Sequence, residues 1–118
     1  AQKPGEGVPY PGKWTKKDLA DAIRPAVEFR ERHQVPVWCG EWGVPSGLKG
    51  SLDWIDDVAA VLEEFEIPWT YWTWAEKPEN PLHDTFDVNP KKAELYRHMA
   101  ALIRRTAKAK PSIKSLEP

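Results

Sequence analysis

Cysteine is nearly absent: Cys39 is the single thiol among 118 residues. One cysteine closes no internal disulfide and builds no metal site by itself. Cys39 lies in an apolar run and reads as a small buried hydrophobe, so cysteine usage does not reveal the compartment. Charge of one sign is not in excess either. Lys and Arg total 17, Asp and Glu total 18, and the net charge is −1. Such a chain has no electrostatic reason to seek nucleic acid or anionic lipid, and neither is expected as a partner. No charge run is long enough to act as a tail that binds by charge alone. Long hydrophobic runs are missing too: no stretch approaches the roughly 20 apolar residues that span a bilayer. The opening AQKPGEG has no apolar centre of the kind a signal peptide needs. If the protein is exported, its targeting segment lies elsewhere or has been removed.

Tryptophan, by contrast, is abundant. Seven of the 118 residues are Trp, a side chain that is rarely buried in full. Trp fills cores, and it also offers flat faces to ligands that have apolar faces of their own. Sugars have such faces, formed by axial C–H bonds. The positions of the Trp residues have to decide between the two uses.

Residues 1–14 are rich in Pro and Gly, lack periodicity and read as a loop. Thr15 and Asp18 start a helix, a hydroxyl N-cap followed by an acid near the positive end of the dipole. Leu19, Ile23, Ala26, Val27 and Arg30 then fall at helical spacing, to about His33. Pro25 lies inside this helix and is expected to kink it. Residues 35–41, VPVWCGE, read as a strand covered on both faces. A Gly/Pro loop follows over 42–50. A second helix is expected from about Ser51 to Phe65, with Trp54, Val58, Val61, Leu62 and Phe65 as its apolar stripe. Residues 67–74, IPWTYWTW, are β-branched and aromatic and read as a second strand. After a polar loop over 75–88, Asn89 and Pro90 start a third helix. It is expected to run to about Thr106, with Tyr96, Met99 and Ile103 inward. Residues 107–118 read as a frayed tail or linker.

The order is helix, strand, helix, strand, helix. A helical crossover between two strands makes them parallel. Two parallel strands that are apolar on both faces do not form a stable sheet alone, and their edges carry unpaired backbone groups. The fold class expected is therefore α/β, with residues 1–106 forming part of a larger sheet. The remainder has to come from another chain, from further copies of this one, or from sequence outside it.

In strict alternation along VPVWCGE, Val35, Val37, Cys39 and Glu41 share one face, and Pro36, Trp38 and Gly40 the other. In a barrel, small branched residues fill the interior while large ones pack outward on helices. Trp38 is thus expected to face the helices. Glu41 would point inward at the C-terminal rim, where barrel active sites sit. The bland alternative is a solvated strand-end carboxylate. In the second strand Pro68, Thr70, Trp72 and Trp74 share a face, with Trp72 near the top. Trp72 there would either offer its ring to a ligand or serve as core. Glu76, Lys77 and Glu79 lie just beyond, as hydrogen-bonding groups for a sugar or as solvated loop charges.

These residues carry a resemblance. PVWCGEWGV (36–44) resembles the seventh strand of clan A glycoside hydrolases, especially family 5, the cellulase and mannanase family, where a Gly-Glu-aromatic-Gly sequence holds the nucleophile. PWTYWTWAEK (68–77) resembles the eighth strand. YPGKW with the first helix resembles the loop and helix after the sixth. The resemblance spans nearly the whole chain. It implies the C-terminal part of a (β/α)8 TIM barrel, incomplete by itself, from a secreted retaining β-glycosidase of the cellulase type. It implies Glu41 as nucleophile, and Trp72, Lys77, Trp74 and Trp42 as substrate contacts. It implies β-linked oligo- or polysaccharide as substrate, no metal and no organic cofactor. A partner segment or second chain would supply strands one to six.

The chain departs from that family in one large respect. The acid/base glutamate there follows an asparagine on strand four, whereas Asn80 and Asn89 are each followed by proline here. Two other readings stand beside the glycosidase. One is an inactive or self-assembling barrel fragment, which assembly state distinguishes. The other is a carbohydrate-binding module; such modules are typically all-β, whereas this pattern alternates helix and strand.

Overall fold

The computed structural model describes residues 10–44, 48–73 and 93–109. Its elements are, in order, α1 (Lys16–His33), β1 (Cys39–Trp42), α2 (Ser51–Glu64), β2 (Trp69–Tyr71) and α3 (Ala93–Ala109). The alternation is the one expected. Among the described residues β1 starts later than expected and runs on to Trp42, β2 is confined to Trp69–Tyr71, and α3 runs past the expected end at Thr106. Its start at Asn89 and Pro90 lies outside the described residues.

α1 begins at the capping box that Thr15 and Asp18 announced. The Asp18 N–H donates to the Thr15 hydroxyl at 3.4 Å, and the Thr15 N–H donates to the Asp18 carboxylate at 2.7 Å. Each side chain satisfies a backbone donor that the first turn leaves orphaned. The Thr15 hydroxyl, 2.7 Å from the same carboxylate oxygen, and the Thr15 N–H together hold the Asp18 carboxyl below its usual range. The helix continues through Pro25 to Gln34, whose left-handed backbone (φ 53°) closes it. Leu19, Ile23, Ala26 and Val27 lie partly buried against the core, so the expected stripe faces inward. Arg30, at the end of that stripe, donates to the carbonyls of Phe65 and Glu66 at 2.7 and 3.3 Å. It thus caps the C-terminus of α2, where carbonyls lack helical partners.

α2 enters from Gly50 at φ 80°, a left-handed conformation that favours glycine. A Cβ there would lie 1.6 Å from the Tyr10 carbonyl oxygen. That close approach brings the Tyr10 N–H onto the Lys49 carbonyl at 3.2 Å, and the Tyr10 hydroxyl donates to Asp57. Burial and the Asp57 carboxylate push the Tyr10 phenol well above its ordinary range. α2 is the most buried element: Ile55, Val58, Ala59, Val61 and Leu62 are in the core. Trp54 and Phe65, also expected in the stripe, are only partly buried.

α3 contributes Leu95, Met99 and Leu102 to the core. The expected stripe of Tyr96, Met99 and Ile103 is right at Met99 and rotated by one residue elsewhere; Ile103 is 51% exposed. Leu95, Met99 and Leu102 (i, i+4, i+7) fit helical periodicity as well as Tyr96, Met99 and Ile103 (i, i+3, i+7), so periodicity alone did not choose between the two faces. His98 Nε2 meets Asp56 Oδ1 at 2.9 Å and ties α3 to α2.

β1 and β2 pair in parallel, as the helical crossover requires. Cys39 pairs with Trp69 and Trp42 with Tyr71, with an irregularity between Cys39 and Trp42. Three steps along β1 therefore match two along β2, which is a β-bulge. Gly40 and Glu41 together face Thr70. Val37, Cys39, Trp42, Trp69 and Tyr71 all pack against the helical core. The opposite face carries no helix among the described residues. Trp38, expected to face the helices, is instead 62% exposed. Val37 and Cys39, on either side of Trp38, face the helices, so regular alternation turns Trp38 to the other side, the reverse of the expected assignment. Beyond Cys39 the bulge breaks strict alternation, so Cys39 and Trp42 both face the helices although their numbers differ by three.

Two outcomes follow from this packing. The uncovered sheet face and open edges predict that the chain alone self-associates above its 13.5 kDa monomer mass in light scattering; a monodisperse monomer with a cooperative melt contradicts this. In the assembly that keeps the chain soluble, Trp42→Ala lowers stability by about 3–5 kcal/mol, the cost of truncating a buried Trp. Trp38→Ala costs clearly less, and denaturant titration read by circular dichroism gives the order. An equal or larger loss for Trp38→Ala would restore the expected assignment.

Candidate functional site

The C-terminal ends of β1 and β2 bring the candidate residues to one edge of the sheet. Glu41 is exposed, while its neighbour Trp42 is 8% exposed. Successive residues on a strand point to opposite faces, so Trp42 facing the helices turns Glu41 to the open face. Thr70 is exposed on the same side, and Trp72 is 37% exposed. The Trp38 ring lies alongside Gly40: a Cβ at Gly40 would be 3.8 Å from it. The open face thus presents a carboxylate, a hydroxyl and two tryptophans.

The other side of the edge is held by aromatic packing. The Trp42 ring meets Trp69 at 5.0 Å and Tyr71 at 5.3 Å, both nearly edge to face, and Trp54 at 6.0 Å. Edge-to-face pairs of this kind contribute about 0.5–1.5 kcal/mol beyond buried area. The indole N–H of Trp42 is buried without a hydrogen-bond partner. Trp42, expected among the sugar contacts, therefore has its ring on the helix side, within the core. Its backbone reaches the edge instead: the Trp72 N–H donates to the Trp42 carbonyl at 3.0 Å. That bond ties the residue after Glu41 to the residue that follows β2. The Trp72–Thr73 peptide is cis.

Around this edge the Tyr71 hydroxyl sits 3.4 Å from both the N–H and the carbonyl of Val44 and steadies the turn after β1. Burial raises the Tyr71 phenol above its ordinary range, with the Val44 bond opposing. Burial also raises the Cys39 thiol. A thiol so shifted stays protonated near neutral pH, which removes it as a nucleophile beside Glu41.

Of the residues expected at the site, the structure places Glu41 and Trp72 at one edge, and Trp42 beneath it. Trp74 and Lys77 lie outside the described residues, as do Glu76 and Glu79. Among the described residues no cluster of three or more His, Cys, Asp or Glu is placed to hold a metal. Alternation already put Thr70 on the face of Trp72 but gave it no role, and it put Trp38 on the helix side. A signal for the bulge opposite Thr70 was present in Gly40, since a glycine inside a strand often marks one.

No family model matches the chain. It is similar to two endoglucanases. One is Endoglucanase C of Acetivibrio thermocellus, 34% identical over 64 residues. The other is Endoglucanase C307 of Clostridium sp. (strain F1), also 34% identical over 64 residues. The match covers 52% of this chain and 19% of each relative, so the chain spans about a fifth of the length of the proteins it matches. It contains a segment related to endoglucanases, and so to cellulases and other glycoside hydrolases.

Proposed function

We propose that this chain is the C-terminal part of a (β/α)8 barrel in a secreted, retaining β-glycosidase of the cellulase type, with Glu41 as its nucleophile. The observation that carries the reading is the exposed Glu41 at the C-terminal end of a parallel strand, on the sheet face away from the helices. Barrel active sites lie at that end of the strands. The endoglucanase-related segment supplies independent support for glycoside hydrolysis.

Retaining hydrolysis needs two carboxyl groups about 5–5.5 Å apart. In the completed barrel an oxygen of Glu41 attacks the anomeric carbon of a β-linked sugar. The bond to the leaving sugar oxygen breaks, and that oxygen takes a proton from a second carboxyl group. Water then attacks the glycosyl-enzyme ester, giving its proton back to the second carboxylate, and Glu41 is released ionised. The second carboxyl group belongs to the strands that complete the barrel. Trp72, partly exposed, offers its ring to a sugar face, and Trp74 and Lys77 supply further contacts to the sugar, as the family resemblance implies. Substrate is a β-linked oligo- or polysaccharide; no cofactor enters the scheme.

The predicted outcomes are specific. Glu41→Gln keeps the shape and removes the attacking charge, so turnover of the completed enzyme falls by several orders of magnitude while its melting temperature hardly moves. Near-normal turnover by that variant would end the proposal. Trp72→Ala weakens binding of a β-1,4-linked oligosaccharide about tenfold, the scale of a lost stacking contact. Titration calorimetry checks this, and unchanged affinity would remove Trp72 from the sugar site.

A further inference from the structure

We propose that Thr70 is a positioning residue: its hydroxyl holds the bulge that turns Glu41 to the open face. The inference rests on Glu41 being the nucleophile, as argued above. Three observations carry it. The pairs Cys39 with Trp69 and Trp42 with Tyr71 leave Thr70 as the single residue opposite Gly40 and Glu41. The Thr70 hydroxyl donates to the Gly40 carbonyl, on the peptide immediately before Glu41. The ladder is fixed on both sides of this point, by Cys39 N–H to the Pro68 carbonyl at 2.9 Å and Trp72 N–H to the Trp42 carbonyl at 3.0 Å.

The geometry gives that one hydroxyl unusual leverage. A bulge leaves an extra residue outside the regular ladder, and the bulged strand bends there. Without the bulge, a strand running straight from Cys39, which faces the helices, would bring Glu41 to the helix side and Trp42 to the open side. Both would be unfavourable: a carboxylate buried without a partner, and an indole taken out of its aromatic cluster. Core packing of Trp42 fixes the sense of the bulge. The Thr70 bond fixes the tilt of the Gly40–Glu41 peptide within it, and so the direction in which the carboxylate leaves the strand. Thr70 needs no contact with substrate to do this. Displacing a reacting group by about 1 Å can cost on the order of a hundredfold in rate.

The test compares Thr70→Val, Thr70→Ser and Glu41→Gln in the completed enzyme. Val keeps the shape and removes the donor; Ser keeps the donor. Thr70→Val is expected to lower kcat by roughly ten- to a hundredfold, with KM within about twofold and the melting temperature within a few degrees. Thr70→Ser recovers most of the lost kcat. A role confined to folding would instead lower the melting temperature of Thr70→Val and leave the kcat of its folded fraction intact, which overturns the proposal. Failure of Thr70→Ser to recover kcat overturns it as well, because the donor would then not be the active feature. Glu41→Gln separates the two claims. If that variant is dead and Thr70→Val turns over normally, Thr70 loses its role and the nucleophile stands. If Glu41→Gln turns over normally, both fall together.

Discussion

Trp42 has to bury a large ring on the helix side of the sheet, against Trp54 of α2, while Glu41, bonded directly to it, has to reach the opposite face. Everything at the candidate site follows from how β1 meets both demands. The Trp42 ring is held by Trp54, Trp69 and Tyr71, and its carbonyl receives the Trp72 N–H. Truncating such a residue removes far more packing than an exposed loop residue would. The extra residue between Cys39 and Trp42 then lets the row Val37–Cys39 and the ring of Trp42 share the helix side without taking Glu41 with them. Core packing and carboxylate orientation are thereby one problem with one solution.

The helices were legible in the residues because their signals are local. Thr15 and Asp18 mark the start of α1 through a reciprocal pair of bonds, and Leu19, Ile23, Ala26 and Val27 mark its inward face. The parallel pairing was legible too, since a helix between two strands leaves no other arrangement in one sheet. Side-chain direction in β1 was not. Alternation put Val37, Cys39 and Glu41 on one face and Trp38 on the helix side. The bulge separates Glu41 from Val37 and Cys39, and Trp38 is largely exposed. Glu41 reaches the open face through an irregularity, not through the regular alternation. In α3 two faces one residue apart have the same period, and the contacts of Leu95 and Leu102 with the core settle which is inward. A register of that kind is decided by tertiary packing, which lies outside any local window.

The uncovered sheet face links structure to the proposed function. A two-stranded parallel sheet with helices on one side has half of its surface still to bury. In the proposed barrel that surface becomes the interior wall, and the edge bearing Glu41 and Trp72 becomes the catalytic rim. A self-assembling fragment would cover the same face with copies of itself and leave Glu41 without an acid/base partner. The segment related to endoglucanases favours the first arrangement.

The central claim, that Glu41 attacks the anomeric carbon, is tested most directly by trapping the covalent intermediate. A mechanism-based 2-deoxy-2-fluoro β-glycoside is incubated with the completed enzyme, which is then digested and mapped by mass spectrometry. One modified peptide is expected, containing VPVWCGEWGV, with the sugar esterified to Glu41. A label on any other carboxylate would contradict it.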